Sequence, residues 1–491
     1  MDQTCVLGLD LGTSALKAVV TTVDGQLLAQ ASEPLALSQP QPLHSEQHPH
    51  DWMLAANKAV LRLRGLLPGS RWRNICALGI AGQMHGAVLL DARGEVLRPA
   101  ILWNDGRSQA QCDELESKEP ASRTITGNRA MAGLTAPKLM WLAEHEPDCF
   151  ARVAQVLLPK DYLVWRLTGE YSTDVSDAAG TLWLNLASRT WSDAMLDASG
   201  MRRSQLPPVH ESADVIGTLA QSWTRHWALP DGIQVVAGAG DNAAAALGVG
   251  VVGAGEGLLS LGTSGVIFVA TGAPQPHPAR GLHAFCHAVP GRWHQMAVLL
   301  SAASALSWWS KLIGSTPEAA TAALVQGEVR CNAPLFLPYL SGERTPHADP
   351  CAKASWLGLH SGVERDDMTY AVLEGVSFAM ADALQVLNEA GTVPTRLLAV
   401  GGGARSGHWL QQLANVLGTT LEQPAEAEVG PALGAARLAV LGLGLPQHRV
   451  LKPPLLARIF TPWQEATELH APRLARFRQA YAPLRALGPH C

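Results

Sequence analysis

At 491 residues the chain is too long for one hydrophobic core, and two large domains are the natural expectation. Hydrophobic residues make up 47% and charged residues 16%, an ordinary balance for a soluble globular enzyme. The net charge of only -5, with 37 basic residues scattered rather than clustered, excludes a bulk pull toward nucleic acid or membrane.

The N-terminal segment "TCVLGLDLGTSALKAVVTTVDGQLLAQAS" reads as strand, tight turn, strand, "DG" turn, strand. It begins without a basic n-region, so no secretory signal is expected. A polar loop over 38–50 follows, then a helix over "DWMLAANKAVLRLRGLL" with Asp51 as the expected N-cap. The next strand is "ICALGIAG". This β-β-β-α-β order argues for a mixed sheet covered by helices. His44, His48 and His50 in the polar loop read as loop residues rather than a metal site. The cysteines (5, 76, 112, 149, 286, 331, 351 and 491) form no CxxC pair and read as free thiols in a reducing compartment. The apolar stretches are interrupted by Asp, Glu or Ser before reaching the roughly 20 residues of a membrane span, and the expected location is the cytoplasm.

"LDLGTSALKAVV" at 9–20 has an echo in "LSLGTSGVIFVA" at 259–270. The two LGTS turns are offset by about half the chain, which points to duplication of one domain type, with the seam in "GVGVVGAGEG". The expected domains are therefore 1–250 and 251–491. Such a turn can be an ordinary hairpin connection, or it can offer N–H groups and hydroxyls to phosphate oxygens while Asp10 holds a Mg²⁺ ion through water. Two copies facing each other could grip a triphosphate. "LLAVGGGARSGHWLQQLANVLG" places a triple glycine between a strand and an amphipathic helix, a pattern that serves either tight packing or ligand approach to a helix N-terminus. No Walker A sequence is present.

"VVAGAGDNAAAALGVG" at 235–250 sets Asp241 and Asn242 in a run of Gly and Ala. The small neighbours cannot neutralise the carboxylate. They leave two readings: a helix N-cap, or a base with room for a ligand against it.

"GIAGQMHGAVLLD", "PAILWNDGR", "GLTAPKLMWLAEH", "LLPKDYLVWRLTGE", "SDAAGTLWL", "FLPYLSGERTPH", "GLHSGVERDDMTYAVLE" and "VGPALGAARLA", in this order and spanning nearly the whole chain, resemble the FGGY family of carbohydrate kinases. The family lies in the actin, sugar kinase and Hsp70 ATPase superfamily, and the segments look most like its kinases of D-xylulose. The resemblance implies two actin-like (ribonuclease H-like) α/β domains with mixed sheets flanked by helices and an active site in the interdomain cleft. It implies phosphorylation of D-xylulose by ATP with Mg²⁺, and Asp241 as the catalytic base with Asp10 beside it. Met84, His85, Trp103, Asp105 and Asn242 are then expected at the sugar. Thr13, Ser14, Lys17, Gly262, Thr263, Ser264, Gly402 and Gly403 are expected at the nucleotide, and Asp10 and Asp241 at the metal. His85 could equally be a satisfied core histidine, and Trp103 and Asp105 simple domain packing. Ala15 stands where glycine is commoner in the family. Glu343 and Arg344 are assigned no role. A homodimer is left open, and no nucleic-acid or membrane partner is expected. The alternatives are a family kinase for ribulose, fuculose, gluconate or glycerol, or a non-enzymatic ATP-switched module. The latter needs no base at a sugar hydroxyl, and the roughly 60 residues after "GAARLAVLGLGL" are too few for an added peptide-binding domain.

Overall fold

The computed structural model describes residues 4–425 and 430–487. Asp2, Val429 and Cys491 lie outside the described residues. Two seven-stranded mixed sheets carry the chain. In the first, the central strand Cys5–Leu11 runs antiparallel to Ala15–Thr22 and parallel to Ile75–Gly82. Leu27–Pro34 lies outside Ala15–Thr22, and Gln234–Val236 lies outside Ile75–Gly82. In the second sheet, Glu256–Leu261 runs antiparallel to Gly265–Thr271 and parallel to Arg396–Val400. Trp293–Leu299 lies outside Gly265–Thr271 and Leu421–Pro424 outside Arg396–Val400, with His283–Cys286 and Leu456–Phe460 at the two edges. The LGTS turns occupy the same place in both, between the central strand and its antiparallel partner. The repeat seen in four residues is thus a repeat of topology.

Every residue of Cys5–Leu11 is buried, as expected of a central strand covered on both faces. Cys5, Leu7, Leu9 and Leu11 point to one side, where they meet Trp52, Ala56, Val60 and Leu63 of helix Pro49–Leu66. That helix starts two residues earlier than expected. Its N-cap is His48, whose Nδ1 accepts the His50 N–H at 3.3 Å, and Asp51 sits in the first turn. Val6 points to the other face, which is covered by helix Gly430–Gly442 from the far end of the chain.

That second contact is unusually close. A Cβ on Gly8 would stand 2.2 Å from the Ala432 carbonyl oxygen, and one on Gly79 would stand 1.9 Å from that of Ala435. The same helix crosses helix Asp241–Gly248 with Gly434 against the Ala244 carbonyl, where a Cβ would lie at 1.8 Å. The Gly/Ala run after Asp241 is therefore small because a helix lies against it. Protein fills the face of this run toward that helix, whereas Asp241, Asn242, Ala245 and Val249 line cavities.

Helix Arg365–Glu389 is 25 residues long with a mean hydropathy of 1.3 in its most apolar window, enough by length and composition to cross a membrane. It does not stand out in sequence because acids interrupt it. With 94% of that window buried inside the protein, it is the core helix of the second half. Cys5, Cys76, Cys112, Cys149, Cys286 and Cys331 are free thiols as expected, whereas Cys351 is disulfide-bonded, contrary to that expectation.

The backbone-to-backbone contact yields a contrast within one chain. Gly79→Ala should cost about 3 kcal/mol or more, because a carbonyl rather than a side chain must move. Gly65→Ala, in an exposed helix with nothing within 4 Å, should stabilise by roughly 0.5–1 kcal/mol. Denaturant unfolding of both variants measures the difference.

Candidate active site

Two cavities open between the halves. The smaller, of about 240 Å³, is lined from the first half by Met84, His85, Trp103, Asp241 and Asn242, and from the second by Ser260, Gly262, Ser264, His283 and Arg344 among others. The larger, of about 670 Å³, includes Lys17, Val249, Gly401, Gly402, Arg405 and Gly430. Asp241, Asn242 and Ser260 line both. Size alone does not pick out this place. A hollow of about 750 Å³ lies beside the last helix, but Asp349, the carboxylate among its lining residues, is engaged by Tyr481 and Arg485.

Asp241 is the first residue of helix Asp241–Gly248, whose N-cap position is Gly240. It is therefore not itself the cap, though it sits where the helix dipole favours an anion. Asn242 Nδ2 donates to Asp241 Oδ1 at 2.8 Å. Burial pushes the carboxyl up to about 6, against the pull of the Asn242 hydrogen bonds. Asp10 is the last residue but one of the central strand and is 6% exposed, with an Oδ1 that has no hydrogen-bond partner. Burial, and then the charge of Asp241, raise it to about 7, while Lys17 pulls it down. Two carboxylates that oppose each other's ionisation, one with an orphaned oxygen, fit a divalent cation. Among the described residues no cluster of three or more His, Cys, Asp or Glu could hold a metal. Phosphate and water oxygens would have to complete its shell.

Beneath Asp241 lies a buried ionic network that sequence reasoning missed. The Gly240 N–H donates to Ser176 Oγ at 3.1 Å, and Ser176 Oγ donates to Asp174 Oδ2 at 2.6 Å. Ser212 Oγ donates to the same oxygen at 2.7 Å. Lys160 Nζ pairs with Asp161 and, at 3.0 Å, with Asp174, all of them buried. The backbone just before the base is thus anchored through Ser176 and Asp174 to an ion pair. The segments "PKDYLV" and "SDAAG" carried these residues without revealing that they meet.

His85 adopts a left-handed φ of 69°, a costly conformation for this residue. Lys138 Nζ and Thr135 Oγ1 donate to its carbonyl at 2.9 and 3.1 Å, and Lys138 also bonds the Gly133 carbonyl at 2.9 Å. Its ring rests on Gly180, where a Cβ would stand 2.3 Å from Cε1. The lysine of the "GLTAPKL" segment is therefore the clamp that holds His85 in the cavity wall.

Other expected residues are placed differently. Asp105 does not line the cavity. It is buried in an ion pair with Arg107 at 2.7 Å and accepts the Ser45 N–H at 2.6 Å. Trp103 does line it, and its Nε1 donates to Thr13 Oγ1 at 2.9 Å. Thr13 Oγ1 in turn donates to Gln83 Oε1 at 3.0 Å, so this hydroxyl ties the turn to the segment that carries Met84 and His85. Ser14 and Thr263 are exposed and line neither cavity, whereas Gly262 and Ser264 line the smaller one. Within the triple glycine, Gly402 lines the larger cavity with open space before it. Gly401, at φ 90°, and Gly403 pack against Leu261. Both readings of the motif hold, each for different glycines.

The family models of the FGGY family of carbohydrate kinases match the chain twice, the N-terminal domain over residues 5–248 and the C-terminal domain over 257–443. A xylulose kinase of Escherichia coli (strain K12) is 46% identical over 484 residues, 98% of this chain and 99% of the relative. A solved xyloylose kinase from Brucella ovis superposes with a TM-score of 0.95 at 46% identity, covering 98% of this chain and 100% of that one. The xylulose kinase from Rhodospirillum rubrum gives 0.89 at 31% identity, covering 98% and 99%.

The raised carboxyl of Asp10 has a cost in stability whose sign is fixed. The folded state keeps the proton up to about pH 7 and the unfolded chain releases it near 3.8, so stability falls as pH rises between these values. Asp10→Asn should therefore raise the ligand-free protein's unfolding free energy at pH 8, by up to about 4 kcal/mol. The gain should shrink as the pH is lowered through 7 toward 4. Denaturant titrations at two pH values check this.

Proposed function

The chain belongs to the FGGY family of carbohydrate kinases, and we propose that it transfers the γ-phosphoryl group of ATP to the terminal hydroxyl of D-xylulose, giving ADP and D-xylulose 5-phosphate. One observation carries the reading: Asp241 lines both cavities. A base in that position can touch a sugar hydroxyl on one side and the incoming phosphoryl group's surroundings on the other. Such juxtaposition supplies much of what phosphoryl transfer requires.

The smaller cavity takes the sugar. Met84 packs against its carbon chain, His85 and Asn242 bond its hydroxyls, and Trp103 forms an apolar wall. The larger cavity takes the nucleotide, with Lys17 and Gly402 on its surface. The turns containing Thr13, Ser14, Gly262, Thr263 and Ser264 direct N–H groups toward the phosphates. Gly403 serves this loop by letting it pack closely. Mg²⁺, held by Asp10 and Asp241, would neutralise phosphate charge. Asp241 orients the sugar's terminal hydroxyl and accepts its proton late, as the new P–O bond forms. A carboxyl at about 6 is ionised at neutral pH, yet more basic than an exposed one. The division of labour between 1–250 and 251–491 is shared rather than strict, since Gly262, Ser264, His283 and Arg344 reach the sugar cavity from the second half. ATP as co-substrate suits a cytoplasmic enzyme.

Asp241→Ala should bind ATP and D-xylulose with affinities within a few-fold of wild type and lose phosphorylation by roughly 10³-fold or more. Calorimetry and a coupled ADP-release assay across pentuloses measure both. Substantial turnover by this variant would remove Asp241 from the role of base.

A further inference from the structure

The sugar cavity holds a cation that no hydrogen bond ties down. Arg344 lines the cavity, and its guanidinium makes no hydrogen bond or ion pair among the described residues. The adjacent Glu343 attracts it only through space, and burial holds that carboxyl up at about 8. Glu343 Oε1 accepts the backbone N–H groups of Leu300 at 3.2 Å and of Arg344 itself at 2.7 Å. A half-buried cation left unpaired is costly, and a cavity retains one where a ligand completes it.

Two imidazoles stand near this cation, close enough that its charge depresses both. Their tautomers are fixed by their partners. His85 Nδ1 lies 2.8 Å from the Gly180 carbonyl, which can only accept, so Nδ1 carries the proton and Nε2 the lone pair. His283 Nδ1 lies 3.1 Å from Asn128 Oδ1. The orientation of that amide is set by its Nδ2, which donates to the carbonyls of Thr126 and Ala284 at 2.9 and 2.8 Å. His283 Nε2 is therefore an acceptor as well. Burial holds His85 down at about 3 and His283 well below its ordinary range, so both rings stay neutral. This end of the cavity thus offers a fork of donors in company with two acceptors.

We infer that Arg344, with His85 and His283, recognises the HO–C–C(=O)–C–OH head of an open-chain 2-ketose and sets the enzyme's preference for ketoses over alditols. The guanidinium donates to the carbonyl oxygen, an acceptor with no proton of its own. The two Nε2 atoms accept from the neighbouring hydroxyls. The reducing head then lies at Arg344 and the terminal hydroxyl at Asp241. This assignment rests on the proposed kinase reaction and deepens it. A sugar acid would match the guanidinium but would present a carboxylate beside two acceptor lone pairs, which repel it.

Arg344→Gln and Arg344→Lys test it through dissociation constants for D-xylulose and for xylitol, the same carbon chain with the carbonyl reduced, measured by calorimetry with Mg-ADP present. Arg344→Gln should weaken the ketose about 10- to 100-fold, the worth of a charge-assisted hydrogen bond, and xylitol by less than about threefold. Arg344→Lys should recover part of the ketose affinity. Unchanged Mg-ADP binding shows that both variants are folded. Equal weakening of ketose and alditol, no weakening of either, or wild-type preference for gluconate over the ketose would overturn the assignment. Turnover of D-xylulose by the wild type tests the parent reaction separately. If that fails, the ketose-to-alditol ratio is read with D-ribulose and ribitol, so the two failures remain distinct.

Discussion

Helix Gly430–Gly442 can lie on the first sheet only because glycine stands at positions 8 and 79, where its carbonyls come within bonding-like distance of the missing Cβ atoms. Much of the site's geometry depends on this contact. The same helix crosses helix Asp241–Gly248 at Gly434 and Ala244, and so fixes how deeply that helix sits. Its depth determines where the helix begins, and its first residue is Asp241. The contact also joins the two halves covalently distant in sequence. A segment beyond residue 430 covers a sheet built before residue 241. Small residues here do mechanical work: they convert the position of a sheet into the position of one carboxylate.

The charges above that scaffold are arranged against folding stability and in favour of ligands. Asp10 and Asp241 are held up by burial, Asp10 also by the charge of Asp241. Burial likewise holds Arg344 down, against the pull of Glu343. A few residues below, Lys160 is surrounded by Asp161, Asp174 and Asp177. The contrast separates two uses of charge. The Lys160 network anchors backbone, whereas Asp241 and Arg344 line a cavity. Strained charge on a cavity wall suits a site complementary to charged and polar ligands.

Much of this was legible in the sequence, for physical reasons that differ by element. The two LGTS turns revealed the duplicated topology because a hairpin between buried strands has a strong local signature. Asp241 was conspicuous because its neighbours could not neutralise it, and Met84 and His85 because glycines flank them. The Gly/Ala run was read for its ligand-facing side alone, since nothing local distinguishes space left for a ligand from space filled by a helix 190 residues onward. Asp105 follows cavity-lining Trp103 by two residues, but Arg107, two residues later, captures it, and sequence spacing does not decide such a competition. Thr13, expected at the nucleotide, uses its hydroxyl as a tie between Trp103 and Gln83, which its place in the turn did not reveal. Lys138, Ser176, Asp174 and Lys160 act through atoms they meet only after folding, so no pattern in the chain could assign them.

Thr13 also shows why the two cavities behave as one site. Its hydroxyl accepts from Trp103, which walls the sugar cavity, and donates to Gln83, which directly precedes Met84 and His85. Its carbonyl accepts from Gln47, whose Oε1 also receives Gln83 Nε2 and the indole N–H of Trp52. The turn expected at the phosphates is therefore held by the same side chains that shape the sugar wall. A displacement of either must be felt by the other, because every bond in the chain is short and most of its members are buried. Asp10 lies next to the end of the strand that leads into this turn, and Asp241 lines both cavities. Phosphoryl transfer needs donor and acceptor aligned to within a fraction of an ångström. A single hydroxyl in the turn after Asp10, bonded to cavity-lining Trp103 and to Gln83 just before Met84, is a direct way to build that alignment into the fold.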